Sequence, residues 1–145
     1  MNQMQLTFLS RSENEEFARN AVAAFALPLN PTLDELSDVK TAVSEAVTNC
    51  IVHAYRGTEG WITLSCRTEG SRLHIIVSDS GRGIEDVEQA LAPFFTTLSD
   101  EERSGMGFTI MQAFMTDFSV SSRPGEGTTV SMSKVFGAKA EADAQ

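Results

Sequence analysis

The stretch from Thr32 to about Tyr55 carries the longest helical pattern of the chain, and it constrains the fold more than any other segment. Thr32 and Glu35 are spaced as a capping box, and Pro31 stops whatever helix precedes it. At about 100° per residue, Leu36, Val39, Val43, Val47, Cys50 and Ala54 fall on one apolar stripe, the face the helix buries. Glu45, Asn49 and His53 form a separate row, successive members four apart and stacked along the axis. Taken alone, that row reads as an ordinary solvated face. The motifs farther along the chain change the reading.

Around this helix the pattern alternates between periods. Residues 4–9 read as a strand. Ser12 and Glu15 are spaced as a second capping box, opening a helix whose apolar face is Phe17, Ala21, Ala24 and Phe25 and which Pro28 and Pro31 break. Ile62, Leu64 and Cys66 alternate as a strand, residues 69–71 turn, and Leu73, Ile75 and Val77 form the inward face of the next strand. Asp79 continues that inward parity, where a carboxylate is costly without partners. A short helix is expected at 84–92, a polar loop at 94–105, a helix at 108–114, and two final strands marked by Phe118 and Val120, then by Thr128, Val130 and Met132. No repeat or linker interrupts residues 1–137, which read as one domain, and 138–145 read as a frayed tail.

Composition narrows the function classes. A chain of 145 residues suits one domain with a real core. A net charge of −9 argues against nucleic acid as the main ligand, since duplex binding needs a basic face. Anionic small ligands stay open, because backbone amides in glycine turns bind phosphate whatever the global charge. Membrane-spanning runs and a secretory leader are not expected, and Cys50 and Cys66 read as buried thiols of a cytoplasmic protein rather than as zinc ligands.

Four motifs carry the chemistry. Glu45 and Asn49 offer a proton acceptor and a neutral oxygen suited to Mg²⁺. Asp79-Ser-Gly81-Arg-Gly83 ends a buried strand in a sharp turn, with an acid able to accept a hydrogen bond from an exocyclic amine such as that of adenine. Ser104-Gly105-Met106-Gly107 leads into a helix, where amides and the helix dipole meet a phosphate, and Arg103 precedes it. Gly127-Thr128 opens the last strand, with a hydroxyl on the core face that needs a partner, a base or a bound water beside Asp79 being the candidate. A Walker-type phosphate loop is missing.

In order and spacing these boxes resemble the superfamily of gyrase, the heat-shock-90 chaperones, sensor histidine kinases and MutL. Within it, Val43-Ser-Glu-Ala-Val-Thr-Asn49, Phe94-Phe-Thr-Thr97 and Arg103-Ser-Gly-Met-Gly-Phe-Thr-Ile-Met111 resemble the small anti-sigma factor serine kinases. The resemblance implies an α+β fold, a two-layer sandwich with a mixed, mainly antiparallel sheet and helices on one face. It implies a cytoplasmic homodimer that binds a sporulation sigma factor (sigma factor F) and phosphorylates a serine of an anti-anti-sigma factor with ATP and Mg²⁺. It implies Glu45 as general base, Asn49 on the metal, Asp79 on the adenine amine with Thr128 assisting, and Gly81, Gly83, Gly105 and Gly107 shaping pocket and lid. Arg103 is the candidate for the γ-phosphate, with His53, Thr97, Ser104 and Met106 along the same ATP/ADP site. Arg19 is implied to face protein partners. One departure is Ala54, where a glycine is common in relatives. A general-stress anti-sigma kinase, a sigma-binding module without kinase activity and the catalytic part of a histidine kinase stay open as alternatives.

Overall fold

The computed structural model describes residues 1–87, 91 and 107–137. Among the described residues, five strands form one sheet in the order β1-β2-β3-β5-β4: β1 is Asn2–Leu9, β2 Trp61–Glu69, β3 Arg72–Asp79, β4 Asp117–Arg123 and β5 Gly127–Val135. All four pairings are antiparallel. The helices α1 (Ser12–Ala26), α2 (Leu33–Asn49) and α3 (Phe108–Phe114) share a core with one face of the sheet, giving the expected two-layer α+β architecture.

Period-two alternation explains that core. Ile62, Leu64 and Cys66 of β2 face the helices together with Leu73, Ile75 and Val77 of β3, and all six are buried. From α2 the stripe Val39, Val43, Val47 and Cys50 comes down on them, joined by Ala42 and Ala46. Burial pushes the Cys66 thiol up to about 12, which marks it as an inert core group.

The two helix starts behave differently. At α2, Thr32 Oγ1 accepts the Glu35 N–H at 3.1 Å and the Glu35 carboxylate accepts the Thr32 N–H at 2.9 Å, so the capping box forms. The other Glu35 oxygen takes the Gly137 N–H at 2.9 Å, tying the end of the sheet to the start of the helix. At α1 the box does not form. Arg11, not Ser12, is the N-cap and gives no side-chain cap bond, while Glu15 instead pairs with Arg19 at 2.7 Å. The buried face of α1 is Ala18, Val22, Ala23 and Ala26, one residue on from the expected stripe, with Phe25 partly buried against the core and Phe17 57% exposed.

Helix α2 does not end as a simple α-helix. Cys50–Ala54 form a π turn, closed by the Tyr55 N–H on the Cys50 carbonyl at 3.1 Å. Such turns insert one residue and re-aim the side chains beyond them, often at functional sites. The short helix expected at 84–92 falls mainly outside the described residues, as do the loop at 94–105 and the tail at 138–145.

Candidate functional site

A cavity of about 380 Å³ lies between α2 with its π turn and the inner face of β3 and β5. Asn49, Cys50, His53 and Ala54 line its helix side, and Val77, Asp79, Thr128 and Val130 its sheet side. An apolar enclosure with a few convergent polar groups is the form of a small-molecule site.

Its sheet end is organised by Asp79. As the last residue of β3 it keeps the inward parity of Val77, and its register partners are Ile62 and Thr128. Asp79 Oδ1 accepts the Gly81 N–H at 2.9 Å and the Thr128 N–H at 3.3 Å. One carboxylate oxygen is thereby fixed by backbone, and the carboxylate forms part of the cavity lining. The Cys50 thiol lies against this carboxylate. Burial first, and the Asp79 charge second, drive its pKa well up and keep it a neutral thiol.

The Thr128 hydroxyl has a partner other than the one expected from sequence. Its Oγ1 is 2.8 Å from Ser122 Oγ, on the neighbouring strand and directly opposite in register. Ser122 Oγ also lies 3.0 Å from the Gly127 carbonyl and accepts the Ile84 N–H at 2.8 Å. With the Ser122 proton on that carbonyl, Thr128 donates to Ser122 and keeps its lone pairs for the cavity. Ser122 is legible in the sequence only as the next inward position after Phe118 and Val120.

The acid turn is wedged in place. Gly83 has φ +76°, and a Cβ there would run into the Arg123 carbonyl. A Cβ on Gly81 would sit 2.5 Å from the Ala54 carbonyl. Between them, the Arg82 N–H donates to Ala54 O at 3.1 Å, and the Gly125 N–H donates to Arg82 O at 2.7 Å. Arg82 Nε donates to the His53 carbonyl at 2.9 Å, holding a guanidinium on the cavity rim, a role that the sequence alone does not assign. Its place between two obligatory glycines is the available signal.

The row on α2 divides. Asn49 and His53 line the cavity, whereas Glu45, one turn earlier, is not in its lining, although its neighbour Ala46 is. Gly107, the αL N-cap of α3 at φ +66°, packs directly on Glu45, and a Cβ at Gly107 would strike the carboxylate. On its other side Glu45 faces a shallow groove of about 460 Å³ that also includes Arg19, Lys40 and Ser44. Partial burial, then the nearby Glu15 charge, raise the Glu45 pKa above that of an ordinary carboxylate. A raised, partly accessible carboxylate beside a ligand cavity has the attributes of a proton acceptor. Behind it, buried Phe108 lines the cavity and packs on Phe118 with ring centroids 5.7 Å apart.

The donor set suits Mg²⁺ of the kind held jointly with phosphates. Asn49 Oδ1 is a buried, neutral oxygen on the cavity wall. Among the described residues no cluster of three or more His, Cys, Asp or Glu offers a cage. Mg²⁺ typically takes one or two protein ligands, waters and phosphate oxygens, and this wall fits that pattern. Thr97, Arg103, Ser104, Gly105 and Met106 lie outside the described residues. Among the described residues no helix is long and apolar enough to cross a membrane.

Comparison with known proteins agrees with this geometry. Residues 8–134 match the family described as histidine kinase-like ATPase domain. The chain is 56% identical over 136 residues to the anti-sigma F factor of Thermoanaerobacter sp. (strain X514), covering 94% of this chain and 95% of that protein. It is 57% identical over 136 residues to the anti-sigma F factor of Caldanaerobacter subterraneus subsp. tengcongensis, with the same coverage, and 52% identical to that of Clostridium acetobutylicum over 93% of this chain and 94% of the relative. In fold it resembles the RsbU and RsbW domains of Rv1364c from Mycobacterium tuberculosis (TM-score 0.68, 16% identity, 94% of this chain and 33% of that one). It also resembles the catalytic domain of the histidine kinase ThkA (TM-score 0.56, 16% identity, 94% and 99%). The cavity between helix and sheet therefore sits in a histidine kinase-like ATPase fold, and the chain belongs to the family of the anti-sigma F factors.

Proposed function

We propose that this chain is an anti-sigma factor that binds sporulation sigma factor F and uses Mg-ATP to phosphorylate a serine of its anti-anti-sigma antagonist. The observation that carries the kinase part is the placement of Glu45. It lies one helical turn before the cavity-lining Asn49, against Gly107, with its pKa raised and its other side open to the groove between α1 and α2. A partly buried carboxylate with a raised pKa, one turn from a cavity-lining residue, has the attributes of a proton acceptor.

In this reading ATP enters with its adenine toward Asp79 and Thr128 and its phosphates toward Asn49. Asp79 accepts the exocyclic amine, and the open lone pairs of Thr128 complete the base end. Val77 and Val130 supply apolar contact. Asn49 Oδ1, with His53 beside it, would hold the Mg²⁺ that neutralises phosphate charge. Glu45 accepts the proton of the acceptor serine as its oxygen attacks in line, and the fold contributes chiefly position and electrostatics. Arg103 is assigned to the γ-phosphate, and Thr97, Ser104, Gly105 and Met106 to the same nucleotide site. The protein is cytoplasmic and homodimeric in this account. The sheet face turned away from the helices, with Trp61 60% and Ile76 42% exposed, offers a surface for self-association.

The test is transfer of labelled γ-phosphate from ATP to purified anti-anti-sigma protein, paired with capture of sigma factor F in ATP and in ADP. The expected outcome is an acid-stable phosphoserine on the antagonist and nucleotide-dependent sigma capture. Sigma capture with no phosphate transfer would leave a binding module and refute the kinase assignment.

A further inference from the structure

The acid turn and the helix that carries Asn49 belong to separate parts of the chain; beside the Arg82 contacts to the His53 and Ala54 carbonyls, the Tyr55 side chain joins them. Tyr55 Oη donates to the Trp61 carbonyl at 2.6 Å and accepts the Ser80 N–H at 2.8 Å. Ser80 directly follows Asp79, and Trp61 opens the strand whose Ile62 pairs with Asp79. The phenol thus bridges the π turn, the start of β2 and the first peptide of the acid turn.

The geometry around it is built for this contact. The π turn places the Ala54 carbonyl on the Arg82 N–H and brings the Tyr55 ring beneath Ser80. Gly60 has no side chain where any Cβ would overlap the Tyr55 ring. Both hydrogen-bonding capacities of the hydroxyl that matter here are used, one as donor and one as acceptor. Burial raises the Tyr55 pKa and the Asp79 charge adds to it, while the Ser80 N–H opposes both, so the phenol keeps the proton that it gives to Trp61.

We infer that Tyr55 is a positioning residue for nucleotide recognition: its hydroxyl fixes the Asp79–Ser80 peptide against the end of α2 and thereby sets the distance between the carboxylate that reads the base and the Asn49 end of the cavity. This rests on the reading of the cavity as an adenine nucleotide site. Tyr55 itself touches no ligand in this account. It acts on the aim of Asp79, so its loss affects discrimination of the base more than the hold on phosphates.

The experiment compares Tyr55→Phe with the unsubstituted protein. Backbone amide exchange at Ser80 is measured without nucleotide, and affinities are measured for ATP and for purine riboside triphosphate, which lacks the exocyclic amine. Phe keeps the ring and removes only the hydroxyl. The expected result is Ser80 exchange at least about tenfold faster, ATP binding about tenfold weaker, and analogue binding changed less than about twofold, so that the preference for ATP collapses. Gly60→Ala, which displaces the ring, is expected to reproduce that pattern. Unchanged Ser80 exchange, or equal weakening of both nucleotides, would overturn the inference. Failure of the unsubstituted protein to bind either nucleotide contradicts the adenine reading instead, and Ser80 exchange still decides the role of the phenol.

Discussion

The two ends of the cavity are built on different principles. At the sheet end, Asp79 is held by backbone: two N–H groups on one oxygen, glycines on both sides of Arg82, and Tyr55 on the following peptide. Beyond the other end, outside the cavity lining, Glu45 is held mainly by packing, against Gly107 and beside an open groove, with a raised pKa. A recognition group gains from being locked, because discrimination depends on geometry. A proton acceptor gains from partial desolvation and from an open approach for its substrate. Under the proposed function, this difference makes binding and transfer separable, and substitutions test that separation.

The largest expected effect is at Glu45. Glu45→Gln is expected to lower phosphate transfer by about 10²–10⁴-fold, the usual contribution of a positioned base, and to leave ATP affinity nearly unchanged, as read by single-turnover transfer and equilibrium binding. Next comes the locked end. Asp79→Asn exchanges the acceptor for an amide whose donors face another donor, and ATP affinity is expected to fall by roughly 10–100-fold, the value of a hydrogen bond to a charged group. Calorimetry is the measurement, and a loss confined to turnover would reverse the assignment of the two ends.

The pH dependence sharpens the contrast. As the proposed base, Glu45 works only when ionised. Burial and then the Glu15 charge raise its pKa, so the acidic limb of the transfer rate should lie above the ordinary carboxylate range. Glu15→Gln removes the like charge and is expected to move that limb toward lower pH. A limb unmoved in this variant would show that Glu15 does not act on the base. The smallest effect is remote from both ends. Thr32→Ala removes one half of the α2 capping box and should cost ~1 kcal/mol of stability, seen by denaturant unfolding, with the nucleotide preference intact.

The locked end is the more legible in sequence, because backbone constraints leave residue signatures. Gly81 and Gly83 mark places where a side chain does not fit, and Asp79 breaks an inward run of apolar residues at a strand end. The capping box at Thr32 is legible for the same reason, since its spacing is local. The identical spacing at Ser12 misleads, because the chain enters α1 one residue earlier and Glu15 pairs with Arg19 instead. The hidden features depend on contacts between distant segments. Ser122 meets Thr128 only through strand register, Tyr55 meets Ser80 only because a π turn redirects it, and Glu45 lines the neighbouring groove instead of the cavity although the helical row treats it like Asn49. Periodicity gives the face of a helix but not which residues along that face reach a ligand.

In the proposed mechanism one helix carries a base and a ligand-holding residue that work independently. The most direct test is Glu45→Ala incubated with labelled ATP, Mg²⁺ and the anti-anti-sigma protein, with ATP binding measured on the same preparation. The account predicts that ATP still binds with near-normal affinity and that phosphate transfer to the antagonist is lost. Undiminished transfer by this variant would contradict it.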